Sequence, residues 1–282
     1  QAINNQGLVL LEIDKLDEAQ QCFERAIQLT PVFADAHINL GLSLQMQGQP
    51  DAAVQTLKQG ITANHENPDL HWNLALALLQ SGNYEEGWQE YEWRWKLPKF
   101  SVFARDVEAQ KWNGEKLASG SLFIHAEQGL GDTIQFSRYV PIAAKITKNV
   151  VFECPPALLP LFRSAIGWET ISVVAEAPSS CDACISLMSL PGVLGTTLDN
   201  IPCKTPYLSI RSRQNTELLR TMQNFKGLKV GLVWAGSKEY QNDSRRSIPF
   251  EVFSGLMKAP HCTFFSLQIE GQGAAESPIK DG

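Results

Sequence analysis

Residues 34–61 read ADAHINLGLSLQMQGQPDAAVQTLKQGI, and their reading decides the first third of the fold. The first half carries apolar residues at helical spacing, sets Ile38, Leu42 and Leu44 to Met46 on one side, and stops at Gly48. The second half restarts a helix with Pro50 in its first turn, where a missing N–H costs nothing. This helix pair has copies on either side. Gly7, Gly41 and Ala75 are spaced by 34 residues, and the same offset carries Asn5 to Asn39 to Asn73, Ala19 to Ala53 to Gly87, and Phe23 to Leu57 to Tyr91. Small residues therefore recur where the two helices of a pair must approach closely.

Three copies of this length match the tetratricopeptide period, so residues 1–100 are read as three all-α tetratricopeptide repeats. Stacked helix pairs leave a concave face suited to an extended peptide or another protein segment. So short an array can equally serve to support the neighbouring domain, and the sequence leaves both roles open. The last helix, NYEEGWQEYEWRWKLPKF (83–100), puts Trp88, Tyr91 and Trp95 on one wide aromatic face. A terminal repeat usually turns a polar face to water, so this face is expected to dock on the domain C-terminal to it, as core rather than as a ligand site. Pro98 closes the helical region, and residues 101–120 are read as a linker.

From Ser121 the period changes. The β-rich runs SLFIHA, NVVFEC, TISVVA and ACISL alternate with the helical stretches TIQFSRYVPIAAKI and PPALLPLFRSAI, as in a parallel sheet with crossover helices. This predicts an α/β domain over residues 121–227. Pro141, inside the helical stretch after Asp132, predicts a kinked or shortened helix. A second series, KVGLVWAG, PFEVFSGLMKA and TFFSLQ, begins at about residue 228 and runs to 282 with only its first strand, helix and strand. With no initiator Met and no signal-peptide pattern, the chain is expected to be a fragment.

Composition narrows the function classes. The 282 residues are 44% hydrophobic and 19% charged, as in a globular protein. A formal net charge of -6 provides no basic stripe, and arginine and aromatic residues do not interleave as in nucleic-acid binders, so no nucleic-acid partner is expected. The longest apolar runs, such as LALALL (74–79), are too short to span a bilayer. The six cysteines are scattered, as suits reduced thiols in a cytoplasmic protein. Cys181 and Cys184 form a C-x-x-C, but without a second pair or a nearby histidine they are read as part of a buried strand, and no metal site is expected.

The strand-to-helix turn HAEQGLGDTIQFSRY (125–139) carries the candidate chemistry. Gly129 and Gly131 would let backbone N–H groups approach a ligand above a helix N-terminus. However, the loop is not G-x-G-x-x-G, and the acidic residue directly after it repels a pyrophosphate. An aspartate at the C-terminal edge of a strand suits removal of a proton from an acceptor hydroxyl. The plainer alternative makes Asp132 the N-cap of a helix over 133–145. His125 either lines the cleft or packs as a strand-end histidine. No G-x-S-x-G elbow is present to support a hydrolase.

The GLGD turn, with KVGLVWAGS and RRSIP far along the chain, resembles the two-lobed glycosyltransferases of the heptosyltransferase family, over the chain from about Trp88 onward. The layout is also similar to that of O-linked N-acetylglucosamine transferases, which join repeats to a two-lobed catalytic region. The resemblance implies a multidomain chain: tetratricopeptide repeats, an α/β Rossmann-like lobe of the GT-B type, and the start of a second, nucleotide-binding lobe whose remainder, where such enzymes hold the nucleotide base and ribose, is absent, so the fragment itself is expected to be inactive. It implies an inverting sugar transferase that takes a nucleotide-sugar donor as substrate, needs no cofactor or metal, and acts on a protein, peptide or glycan acceptor presented near the repeats. Asp132 would be the catalytic base, with His125, Gln128, Gly129 and Gly131 in the acceptor-side loop. Gly236, Ser237, Arg245 and Arg246 would hold the donor phosphates, the arginines offering a bidentate fork. The plain reading of NDSRRSIP is a solvated loop with Ser247 capping the next helix. The alternative for the whole protein is a non-enzymatic scaffold binding a protein or peptide.

Overall fold

The structure, a computed structural model, describes residues 1–117, 120–209, 220, 222–236, 243 and 247–268. The backbone divides into two units, Gln1–Arg211 and Ser212–Gly282.

The first unit opens with three helix pairs: α1 (Ala2–Glu12) with α2 (Leu16–Leu29), α3 (Ala34–Met46) with α4 (Pro50–Ala63), and α5 (Pro68–Ser81) with α6 (Tyr84–Tyr91). Their core contains Phe23, Leu40, Leu44, Leu57, Leu70, Leu74 and Leu78. The buried face of α3 runs through Ala36, Leu40, Gly41 and Leu44. Leu42, expected on that face, stands 38% exposed, because the small residues rather than the longest apolar run mark the side where helices touch. A Cβ on Gly41 would lie 2.9–3.0 Å from the side chain of Leu57. The turn inside each pair passes through Asp14, Gly48 and Gly82, spaced by the repeat length, with φ of 63°, 74° and 88°. Glycine suits this left-handed position because it has no Cβ to clash with the carbonyl. His37 and His71, also one repeat apart, bond through Nε2 to the carbonyls of Pro31 and His65 at 2.9 Å, closing the turn before each pair.

Beyond Tyr91 the helix tightens into 3-10 turns over Glu92–Lys96 and Pro98–Phe103. Three residues per turn bring every third residue to one face, and Tyr91, Arg94, Leu97 and Phe100 are the buried ones. The aromatic face does dock on the rest of the unit, as expected. The change of pitch, however, puts Arg94 in the fully buried position and leaves Trp95 half-buried.

The sheet of this unit is five-stranded and all-parallel, in the order β1-β5-β2-β3-β4: β1 (Glu108–Lys111), β2 (Ser121–His125), β3 (Asn149–Glu153), β4 (Ile171–Val174) and β5 (Ser180–Ser186). β1 lies within the stretch read as a linker; its residues EAQK are polar because it is an edge strand. Leu122, Phe123 and Ile124 of β2 are all fully buried, which explains their continuous apolar run in a sheet covered on both faces. After β2 come α7 (Leu130–Phe136), a 3-10 turn (Ser137–Tyr139) and α8 (Val140–Ile146). Pro141 thus divides the expected helix, taking a place in the first turn of α8. α9 (Leu159–Arg163) and α10 (Leu190–Val193) complete the described helices of the unit.

In the second unit, β6 (Leu228–Leu232) pairs in parallel with β7 (Cys262–Ser266). A helix at Phe250–Phe253 lies between them in sequence, and Phe250 packs on Trp234 at 5.0 Å between ring centroids. Among the described residues no helix is long and apolar enough to cross a membrane.

Substituting Gly41→Ala should lower stability by about 1–3 kcal/mol, because crowding against the fully buried Leu57 outweighs the gain in helix propensity. The urea midpoint of the purified protein checks it, and an unchanged or raised midpoint would contradict the close approach.

Candidate functional site

In an open parallel sheet, ligands favour the crevice beyond the carboxyl ends of two strands whose connections leave in opposite directions. Here β2 leads to β3 on one side, while β5 returns to pair on the other, so that point lies beyond His125 and Ser186. Arg94, from the end of the repeats, occupies it. Its Nε and Nη2 donate to the two oxygens of Glu127 at 3.0 and 2.7 Å, and both side chains are 0% exposed. Nη1 donates to Glu92 at 2.8 Å and to the Tyr91 carbonyl at 3.1 Å, and Nη2 also reaches Ser189 at 2.8 Å. Ser186 donates to Glu127, Ser189 to Glu92 at 2.6 Å, and Lys111 to the second Glu92 oxygen at 2.7 Å.

Two cations thus face two carboxylates. Burial works against the Arg94 charge, but the Glu127 and Glu92 carboxylates outweigh it and hold its pKa above the ordinary value. Burial likewise acts to raise the Glu92 carboxyl, yet Arg94, Lys111 and Ser189 together hold it below its usual range. Tyr91 is pushed up to about 12, chiefly by burial; its hydroxyl accepts from Gln128 Nε2 at 2.9 Å and faces the Met188 sulfur at 3.8 Å.

The turn itself differs from expectation in its details. Gly129 is the N-cap of α7 and Gly131 is exposed in the first turn; neither has a positive φ, which falls instead on Gln128 at 62°. Asp132 sits three residues inside the helix rather than at the cap. Its Oδ2 accepts from the Gly129 N–H at 3.0 Å, so that amide is already satisfied, and a Cβ at Gly129 would stand 3.1 Å from the carboxylate. A side chain there would crowd the carboxylate and require it to give way by a few tenths of an ångström. Asp132 itself is half-buried at the carboxyl edge of the sheet. His125 is buried beside Trp95 and Phe123, with ring centroids 6.2 and 5.9 Å away, and burial, then the Arg105 charge, lowers its pKa. It packs as a strand end. Arg105 is held by both oxygens of Glu153, at 2.8 and 2.9 Å.

Cys181 and Cys184 both lie in β5 and are free thiols; residues three apart on a strand point to opposite faces. Among the described residues no His, Cys, Asp and Glu cluster could hold a metal. In the second unit the Gly236 N–H donates to Ser247 Oγ at 3.0 Å, and Ser247 in turn donates to Asp243 at 2.7 Å. Ser247 therefore braces the Gly236 turn rather than capping the Phe250 helix, whose N-cap is Pro249. Ser237, Arg245 and Arg246 lie outside the described residues.

Arg94 and Glu127 are not among the residues expected from sequence. A signal exists: Ala26, Gly60 and Arg94 occupy the same position of successive repeats, small and buried in the first two. An arginine at that position, between Trp93 and Trp95, announces a buried charge in need of a carboxylate.

A TPR-repeat family model matches residues 7–48, and a tetratricopeptide-repeat family model matches residues 44–87. The chain is 25% identical to Protein FlbA of Caulobacter vibrioides over 94% of its length, and spans about half, 48%, of that protein. A stretch of 78 residues is 30% identical to the mouse protein named Protein O-mannosyl-transferase TMTC3, covering 28% of this chain and 8% of the mouse protein. Among solved structures, the crystal structure of MamA is 25% identical over 34% of this chain and 56% of its own, with a TM-score of 0.32. Residues 7–87 are tetratricopeptide repeats, joined within one unit to a parallel α/β sheet.

Arg94→Met should cost about 3–5 kcal/mol, since it strands Glu127 without its buried counter-ion. Adding Glu127→Gln should return part of that loss in chemical denaturation; strictly additive losses would disprove the coupling. Tyr91 also gives a pH dependence. Between about pH 10 and 12 the unfolded tyrosine ionises while the folded one keeps its proton, so stability falls as pH rises. Tyr91→Phe should flatten that fall, as read from urea midpoints across the interval.

Proposed function

We propose that the full-length protein is a sugar transferase whose repeats hold a protein, peptide or glycan acceptor close to the carboxyl edge of the parallel sheet. A nucleotide-activated sugar is the donor. The observation that carries the reading is the position of Asp132, a half-buried carboxylate at that edge with Oδ2 bonded to the Gly129 amide and the turn fixed by Glu127 and Gln128. A carboxylate so held accepts a proton from a hydroxyl without first reorganising its own loop. The filled switch-point crevice supports an acceptor role for this sheet rather than a nucleotide-binding one, because Arg94 stands where a dinucleotide's phosphates lie in sheets of this topology. Donor phosphates are assigned to the second unit, through Ser237, Arg245 and Arg246.

A second reading, a non-enzymatic scaffold that binds a protein or peptide, rests on the repeats alone. Calorimetric titration of the full-length protein with a panel of nucleoside diphosphates and their sugars separates the two. Transfer predicts binding of one nucleotide, weakened by Arg246→Ala, and a turnover that Asp132→Asn abolishes while donor affinity stays within about two-fold. Silence across the panel from folded protein would favour the scaffold.

A further inference from the structure

Val9 and Ile13 of α1 are large aliphatic side chains, yet each is 59% exposed. With Ala2 and Gln6 they form one stripe at i, i+4, i+7 and i+11, exposed along its length and without a charge. An outer face turned to water in a repeat array is ordinarily polar. The two later repeats show what this stripe is suited to. Its positions recur as Ala36, Leu40, Ser43 and Gln47 in α3, and as Leu70, Leu74, Ala77 and Ser81 in α5. Ser43 and Ala77, which stand where Val9 does, are both 0% exposed, and Ala36 and Leu70, which stand where Ala2 does, are fully buried.

The element that covers the stripe is of the same kind in both cases. α3 packs on α2 and α5 on α4, each time the second helix of the repeat before. Ser43 Oγ donates to the Leu16 carbonyl at 3.4 Å and Gln47 Nε2 to Gln20 Oε1 at 3.0 Å, both on α2. Leu70 comes so close to Gly60 of α4 that a Cβ there would meet it at 2.9 Å. Each covering helix is joined to the helix it covers by a short turn, residues 30–33 and 64–67. α1 packs on α2 and α3 and leaves its own stripe open among the described residues. A second copy of the chain has no helix of this kind to spare: its α2 and α4 are taken up by α3 and α5, and its α6 packs on α10.

We propose that in the full-length protein the stripe of Ala2, Gln6, Val9 and Ile13 is a stacking surface for the second helix of a further repeat, joined to α1 by a turn like those at 30–33 and 64–67. That helix is amphipathic, with a small residue where α2 has Ala26 and α4 has Gly60. The inference stands on the repeats and does not depend on the transfer reading. Thiol labelling of the full-length protein, read peptide by peptide in a mass spectrometer, tests it with Val9→Cys and Ile13→Cys against Glu12→Cys, which is exposed on α1 beside the stripe. The thiols at positions 9 and 13 should react at least about ten-fold more slowly than the one at position 12, equally at high and low protein concentration. A cross-linker anchored at position 9 should join a segment of helical period N-terminal to α1. Equal labelling at the three positions would overturn the proposal, as would cross-links confined to segments C-terminal to α1. Protection lost on dilution, with the mass halving in light scattering, would make the occupant a second copy and overturn it as well. Should either cysteine variant fail to fold, hydroxyl-radical footprinting of the unsubstituted protein reads the same contrast between Val9 and the exposed Val102.

Discussion

The buried pair of Arg94 and Glu127 is the interaction on which the arrangement of the first unit depends. Each ion loses hydration worth several kcal/mol on burial, and only close, multiple hydrogen bonds restore it. Arg94 finds them because its planar fork meets both oxygens of Glu127 while its remaining N–H groups reach Glu92, Ser189 and the Tyr91 carbonyl. These partners come from both sides of the seam: Tyr91 and Glu92 from the end of the repeats, Glu127 from the turn after β2, Ser189 from the turn after β5. If the repeats shifted against the sheet, the charges would separate together. A hydrophobic seam tolerates sliding; this network specifies one register.

The chain reaches this geometry by breaking its own repeat. At Ala26 and Gly60 the position is small because the next helix packs against it; a Cβ on Gly60 would lie 2.8–3.0 Å from His37 and Leu70. The third repeat has no further helix pair after it among the described residues, and what it packs against is the sheet. A long side chain is then allowed, and the tightening from α-helix to 3-10 turns aims it inward at three-residue intervals with Tyr91, Leu97 and Phe100. Trp93 leaves that face and stacks on His71 instead, with centroids 3.6 Å apart.

The parts of the fold legible in the sequence are those with a regular period. Glycines and alanines at 34-residue intervals locate the repeats, since close helix contact leaves room for nothing larger, and SLFIHA and NVVFEC locate strands buried on both faces. β1 is not legible: EAQK is a polar edge strand recognised only through its partner. The exposed side of α3 is misleading because Leu42 is apolar yet outward. In the site, Asp132 and its glycine turn stand out, but the residues that hold the turn do not. Arg94 is hidden by the assumption of an α-helical pitch, under which Trp95 faces inward, and Glu127 by its place beside a more conspicuous glycine pair. Long-range ion pairs have no period, and a tightening to about 3.0 residues per turn, which moves the buried position by one residue, is invisible to a pattern that assumes about 3.6.

The turn from Glu127 to Asp132 is anchored at successive residues from different directions. Glu127 is bound by Arg94, Gln128 by the Tyr91 hydroxyl, and the Gly129 amide by Asp132 itself. Two of the three anchors come from one turn of the last repeat, so the posture of Asp132 is set by the repeats as much as by its own strand. Gln128, with its φ of 62°, is held in a conformation that a side chain larger than glycine seldom adopts, and the bond to Tyr91 is what favours it. Arg94 and Tyr91 thus tie the turn that carries Asp132 to the end of the repeats, so the loss of either side chain removes a support of that turn while leaving the strand before it unchanged in sequence.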